Sequence, residues 1–419
     1  MKKGLLVALL VLVLSNLSVA GKKGIEKDRN VADTYYALSE YALALSYYTR
    51  VYNKTKSHDV IELIADCYEE QRLFDQAYIW RKKAYMVSRK AETFESYLLA
   101  MINKGIYLKA ASHVEKGIEK YGERPKLVRV KTICDSIKVW KNTTPSIQVA
   151  NSRRLNTEFS EMSPVCYNNK LVFCSSREDI IIRPKYGRTN EPFYDLYQIP
   201  HVDGQLSGRP KSFSPIINSK DHEGACSFSD SGNTITFTRI DHSKTNNDVG
   251  TSTNTLKMYQ SSKTLLGWTE PLVFRMDDTI SSFGHPSISE DGSMFFFVSD
   301  MPGGYGGKDI YVCIKLDTLW SDPINLGNEI NTAGDELYPF LKGNDTFYFS
   351  SDTHIGYGGF DLFVSSIENG VFRKPQNLKA PINSSYDDFS IYATEKCGWF
   401  ASNRPGGMGR EDIYQFIQD

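Results

Sequence analysis

No two of the seven cysteines form a Cys-x-x-Cys pair, and they lie dispersed at positions 67, 134, 166, 174, 226, 313 and 397. That pattern excludes a zinc ribbon and offers no disulfide framework, so the thiols are expected to act as small buried hydrophobes. Beyond the first twenty residues, no apolar run approaches the roughly 20 residues that a membrane-spanning helix needs. A surplus of positive charge is missing too. The 419 residues carry 49 Lys and Arg against 50 Asp and Glu, a net charge of −1, which argues against nucleic-acid binding. There is no Gly-x-Ser-x-Gly elbow, so a serine hydrolase of that design is excluded. His222-Glu223-Gly224-Ala225-Cys226 begins like a zinc-protease motif but ends in Cys on what reads as a strand, so it lacks two ligands on one helical face.

What is present begins with Lys2 and Lys3, an apolar run from Leu5 to Leu14, and small residues ending Ser18-Val19-Ala20. This reads as a secretory signal peptide over residues 1–20, with cleavage expected after Ala20. No Cys lies near that point, so lipid attachment is not expected, and the mature protein is expected to be exported and soluble. Its length suits two domains. Residues 21–140 hold 22 basic and 16 acidic side chains, about +6, whereas 141–419 carry about −9. Such an offset suits contact between the parts or separate partners for each.

The first part repeats every 33 residues: Ala44, Ala77 and Ala110, each three positions after an aromatic, Tyr41, Phe74 and Tyr107. A small residue beside a ring lets two short helices cross closely while the ring fills the gap. Gly105 precedes the third aromatic by two positions, where the other copies have Ser39 and Arg72, and Lys126 to Trp140 reads as a closing helix. With Tyr35, Tyr68, Tyr47-Tyr48 and Ile79-Trp80, residues 25–140 resemble the tetratricopeptide repeat family. The resemblance implies stacked helix pairs with a concave face for a peptide, or else a rigid spacer docked on its neighbour.

The second part repeats a longer phrase. It runs Ser299-Asp300-Met301-Pro302-Gly303-Gly304-Tyr305-Gly306-Gly307-Lys308-Asp309-Ile310-Tyr311, then Ser351-Asp352 through Gly356-Tyr357-Gly358-Gly359-Phe360-Asp361-Leu362-Phe363, then Ser402-Asn403-Arg404-Pro405-Gly406-Gly407 to Asp412-Ile413-Tyr414. The closing Asp recurs after 52 and then 51 residues, a period of strand–turn–strand units that predicts a radially repeated β-propeller. Tyr194-Asp195-Leu196-Tyr197 and Lys257-Met258-Tyr259 occupy the same place in two earlier units. Aromatic strands at Leu171-Val172-Phe173, Ile235-Thr236-Phe237, Phe295-Phe296-Phe297, Phe347-Tyr348-Phe349 and Trp399-Phe400 give five blades. Pro323-Ile324-Asn325-Leu326 before Ile330-Asn331-Thr332 is echoed at Pro375 to Ser384, and at Ile147-Gln148-Val149 before Leu155-Asn156-Thr157. The last of these strands has no blade in front of it, so it is expected to complete the fifth blade and shut the ring. Two insertions, Glu178 to Phe193 and His242 to Asn254, are candidate contact loops.

The fold expected is therefore α plus all-β: a helical solenoid over 21–140, then a five-bladed propeller over 141–419 closed by its N-terminal strand. The Ser-Asp-x-Pro-Gly-Gly-x-Gly-x-x-Asp-Ile-Tyr phrase resembles the PD40 family, the WD40-like repeats of TolB-type propellers. A signal peptide, tetratricopeptide repeats and PD40 blades together are similar to envelope proteins of Bacteroidetes, including a periplasmic component of type IX secretion and gliding. The OmpA-like wall-binding domain into which such proteins often continue is not expected here. The resemblance implies a non-catalytic scaffold of the periplasm, associated with the outer membrane or peptidoglycan through protein partners.

Recurrence decides how the acids and glycines are read. A residue needed once for catalysis is not needed in every repeat, so Asp195, Asp309, Asp361 and Asp412 are expected to hold turns by accepting backbone N–H groups. Gly303, Gly304, Gly358, Gly359, Gly406 and Gly407 are expected to be positive-φ turn residues instead of a phosphate cradle, because no helix follows them. Calcium would need six to eight oxygens, and each loop offers one or two carboxylates. A glycosidase would need two unique carboxylates facing the channel. Glu158, Glu223, Glu336 and Asp388 instead recur near blade starts, Asp300 and Asp352 align with Asn403, and Asp179 and Asp248 have no recognisable partner. No catalytic set, cofactor or metal is expected; binding of glycan or peptidoglycan fragments through exposed Tyr and Trp is the alternative function, with a five-bladed-propeller glycosidase as the third.

Overall fold

The computed structural model describes residues 22–142, 146–178, 185–241, 255–274, 280–317, 319–395 and 397–418. The leader read in residues 1–20, the insertion residues 179–184 and 242–254, and with them Asp179 and Asp248, lie outside the described residues. The chain forms two compact units, one of residues 1–100 with 185–191, the other of 101–184 with 192–419.

The described part of the first unit is helical: α1 (22–37), α2 (Tyr41–Thr55), α3 (Asp59–Glu70), α4 (Phe74–Ser88) and most of α5 (Ala91–Asn103). Tyr41 and Phe74 open α2 and α4, and Ala44 and Ala77 lie fully buried one turn in. Ala32, Ala44, Tyr48, Val51, Val60, Ile64 and Cys67 make one core. The turns before α2 and α4 pass through left-handed backbone at Ser39 (φ 59°) and Arg72 (φ 58°), the positions matching Gly105 (φ 73°). The 33-residue period therefore reports a backbone reversal as well as packing. Insertion residues 185–191 lie on this unit: Gly187 O accepts the Ala42 N–H, and Arg188 reaches the Glu70 carbonyl and carboxylate.

The second unit holds α6 (Tyr107–Tyr121), α7 (Pro125–Trp140) and five antiparallel sheets. Pro at the first position of α7 suits a helix start, where its missing N–H is not needed. The inner, middle and outer strands are Glu161–Tyr167, Lys170–Ser175 and Asp195–Val202 in blade one, and Glu223–Ser229, Thr234–Asp241 and Thr255–Thr264 in blade two. Blade three has Phe283–Ile288, Met294–Ser299 and Asp309–Leu316, and blade four Glu336–Lys342, Thr346–Ser351 and Asp361–Glu368. Blade five has Asp388–Ala393, Cys397–Ser402 and Asp412–Gln418. In blades one to four, pairs of two-residue strands flank the outer strand. In blade five the N-terminal strand Ile147–Asn151 takes that place, running antiparallel with Ile147 opposite Gln418 and Asn151 opposite Tyr414. The ring is closed by its own ends, so Asp412–Gln418 is not left as the unpaired edge of the last blade.

The middle strands are apolar on both faces because blades stack through them. Phe296, Val298, Ile310, Phe347, Phe349 and Phe363 form one such buried cluster. This is why Phe295-Phe296-Phe297 reads as a continuous run instead of alternating.

Candidate functional site

The Gly-rich loops are held by the Asp that ends each of them. Asp309 accepts the N–H groups of Tyr305 (2.6 Å) and Gly306 (3.2 Å) and the Asn325 side-chain amide (2.7 Å). Asp361 takes the N–H groups of Tyr357 and Gly358, and Asp412 those of Met408 and Gly409 and the amide of Asn151 in the closing strand. Asp195 is buried opposite Ser175 at the same place in blade one. Positive φ is confined to Gly303 (91°) and Gly406 (92°) among the six glycines singled out, which corrects the expectation for the other four. Those are glycines for lack of room: a Cβ would stand 2.4 Å from Asp309 Oδ2 at Gly304 and at the same distance from Asp412 Oδ2 at Gly407. At Gly358 it would meet Ser385 O at 2.1 Å, and at Gly359 Asp387 Oδ1 at 2.2 Å.

A second recurrent acid lies at the start of blades one, two, four and five, and it is fully buried. Glu161, Glu223, Glu336 and Asp388 each accept the N–H and hydroxyl of a Thr or Ser four residues earlier, at Thr157, Ser219, Thr332 and Ser384. Blade one uses Glu161 and not Glu158, because Glu161 is the residue placed opposite Ser175, whose hydroxyl it accepts. Three of the four meet a guanidinium: Arg177, Arg239 and Arg404, each of which also donates to a backbone carbonyl, of Leu155, Ile217 and Ile382. In blade four, Thr353 stands two residues after the serine where Arg177 and Arg404 stand, and neighbouring His354 takes the carbonyl contact, with Ile330 O at 2.9 Å. Glu336 is held by hydroxyl and N–H donors, and burial pushes its pKa up to about 7.

Asparagines clamp successive blades together. Asn331 accepts the Ile310 N–H and donates to the Ile310 carbonyl, and Asn383, Asn156 and Asn218 do the same for Leu362, Ile413 and Leu196. Each amide replaces one missing strand partner. The equivalent junction before blade three falls outside the described residues.

The inner strands enclose a cavity of about 720 Å³. Its lining runs from the third residue of the inner strands to the turns that follow them, such as Asn168, Gly232, Asp291, Gly343 and Glu395. It thus lies toward the turn end of the ring, away from the Gly-rich loops. At its deep end Ser163, His285, Tyr338 and Ser390 are all left-handed, with φ of 51–53°. Each donates its N–H to a side chain of the preceding blade: Ser390 Oγ, Thr238 Oγ1, His285 Nδ1 and Ser350 Oγ respectively. The His285 and Tyr338 rings stack at 3.8 Å. Burial lowers the His285 pKa to about 3 and raises that of Tyr338, so both are neutral in ordinary buffers. Charged residues on the lining, Glu290, Asp291, Lys315, Lys342 and Glu395, belong to the turn end. Asp291 is held by Ser289 and Ser293, which bring its pKa down to about 2, and Glu395 pairs with Lys342.

The opposite, Gly-rich end carries α6 and α7. The Tyr107 hydroxyl donates to Tyr357 O at 2.8 Å, Arg129 donates to the carbonyls of Thr353 and Asp352, and Trp140 packs on Tyr357. Ala110 is buried in α6 as its repeat position requires, so Tyr107 serves the helices and the propeller together. His222 accepts the Tyr194 N–H and stacks near Phe193, and burial lowers its pKa to about 4. Among the described residues no cluster of three or more His, Cys, Asp or Glu could hold a metal ion.

Sequence reasoning found the loop aspartates but missed the asparagine clamps and the left-handed belt. The Asn-Thr and Asn-Ser phrases could have revealed the clamps. Nothing in the residue types Ser163, His285, Tyr338 and Ser390 signals positive φ.

The sequence matches no protein-family profile and no curated protein. Among solved structures it is similar to a TolB protein of Agrobacterium tumefaciens, at 15% identity over 61% of this chain and 76% of that one, TM-score 0.35. It is also similar to an α-L-arabinofuranosidase of Podospora anserina at 9% identity, over 64% of this chain and 93% of that one, TM-score 0.39. A third is the Trypanosoma rangeli sialidase, at 9% identity over 65% and 60% of the two chains, TM-score 0.36. At such identities and scores no function carries over.

Proposed function

We propose that this chain is a non-catalytic interaction scaffold of the cell envelope, exported by its first twenty residues, with tetratricopeptide-like helices and PD40-like blades each offering a surface to protein partners. The observation that carries the reading is where the recurrent carboxylates go. The loop acids Asp309, Asp361 and Asp412 tie down turns, and the blade-start acids are buried in hydrogen bonds. Two carboxylates flanking a scissile glycosidic bond must instead face the substrate. An envelope assembly such as type IX secretion or gliding machinery is the setting this reading favours. Affinity capture with the full chain from mildly extracted envelope fractions tests it: reproducible recovery of a stoichiometric protein partner is expected, and turnover of chromogenic glycosides by the purified chain would contradict it.

A second reading, a glycan-binding module, has one observation in its favour. The deep end of the cavity is neutral and furnished with Ser163, Ser390, His285 and Tyr338, groups that suit a neutral polyhydroxylated ligand. Tyr338→Ala should abolish retention on peptidoglycan fragments under this reading, and no retention of the unaltered chain would dismiss it.

A further inference from the structure

The outer strand of each of blades one to four turns back through a tight hairpin. Three of these tips carry polar turn residues in left-handed backbone: Asp203 and Gly204 (φ 48° and 80°), Asp317 (φ 52°), and Asn369 and Gly370 (φ 53° and 78°). Blade two departs from this. Its tip is Leu265-Leu266, the positive φ is displaced to Gly267 (116°), and the two leucines are 107% and 101% exposed. Leucine contributes nothing to turn geometry at such a site, and an exposed aliphatic pair gains nothing from water. The polar neighbours face back into the blade: the Lys263 ammonium donates to the Tyr167 hydroxyl, and Trp268 packs with Phe213, Phe228 and Tyr167. The apex is left purely aliphatic, with an indole and an ammonium one step behind it.

The neighbouring tips extend the same feature. Val202, Leu316, Leu319 and Val371 flank the corresponding turns and are each more than half exposed. Equivalent positions of successive blades share one end of the ring, so these aliphatics mark its rim on the cavity side.

We propose that this rim rests on a lipid surface, with the Leu265-Leu266 tip as its insertion point. A protein groove accepts one wedge, whereas apolar points spaced around a ring fit a flat and laterally continuous apolar partner. Leucines foremost, with Trp268 and Lys263 behind, is the order of depth found at a membrane interface. Asp203 and Asp317 at neighbouring tips keep the contact shallow, at headgroup level. The binding is peripheral, weak and reversible.

The test is co-sedimentation of the full chain with phosphatidylcholine vesicles, beside the Leu265→Ser/Leu266→Ser double variant. Using the full chain in both arms lets the apolar residues 5–14 contribute equally. The double variant should lower the vesicle partition coefficient at least about tenfold, and Leu319→Ser should lower it several-fold. Unchanged melting temperatures are expected, because the substituted side chains are exposed. Equal partition of wild type and double variant, or no binding by the wild type, overturns the proposal. So does a double variant that loses a captured protein partner while its vesicle binding is unchanged, which would make the tip a protein wedge.

Discussion

The same chemical change, carboxylate to amide, should have opposite effects in two blades. In blade four, Glu336 is fully buried and receives the Thr332 N–H and the hydroxyls of Thr332 and Ser351. Its folded-state pKa stands near 7 against an ordinary 4.5. Folding therefore favours the proton, and stability contributed at low pH is lost as pH rises from about 4.5 to 7. A shift of that size amounts to about 3 kcal/mol at pH 8, at about 1.4 kcal/mol per unit. Glu336→Gln keeps an acceptor for the Thr332 N–H, and both hydroxyls can turn to accept from its amide. The variant should match wild type near pH 5 and exceed it at pH 8 by about 2 to 3 kcal/mol. In blade five, Asp388→Asn leaves the Arg404 guanidinium, 15% exposed, without its counter-charge. That should cost about 3 to 5 kcal/mol, the usual loss on breaking a buried pair. Urea unfolding of both variants at the two pH values reads the difference. Destabilisation by Glu336→Gln at pH 8, or a gain from Asp388→Asn, would refute the reasoning.

Other changes probe the remaining devices. Asp309→Ala strands two loop N–H groups and the Asn325 amide, which should cost about 2 to 4 kcal/mol in chemical denaturation; Asp309→Asn should recover part of it. Ala44→Leu adds three carbons at a position with no exposed surface, and overpacking there should destabilise by about 1 to 3 kcal/mol, read as an earlier loss of helical circular dichroism. Arg129→Ala removes the donors to the Thr353 and Asp352 carbonyls and should cost about 2 kcal/mol, with faster amide exchange in α7 and little change in blades one and two.

Much of the propeller was legible because the same hydrogen bonds recur in several blades and force the same letters each time. Asp309, Asp361 and Asp412 recur since each ties its own loop, and Asn331, Asn383 and Asn156 since each clamps a junction. Closure was legible for the same reason: Ile147-Gln148-Val149 repeats the phrase of the short strands that flank the outer strands, with no blade ahead of it, and the strand does pair with Asp412–Gln418. What escaped the sequence depends on neighbours in space. The His285–Tyr338 stack joins blades three and four, and the φ values at Ser163 and Ser390 follow from bulges in the inner strands. The glycine readings were only partly right, because positive φ and lack of room for a Cβ leave the same letter in a sequence.

The central claim is a five-bladed ring latched by its own ends, whose repeated acids hold shape. Amide hydrogen exchange at residues 147–151 tests the latch most directly. If Ile147–Asn151 is the fourth strand of the last blade, its ladder amides should exchange as slowly as those of Asp412–Gln418, opening only with the propeller as a whole. Exchange at the rate of a frayed terminus, with the blade core still protected, would contradict the account.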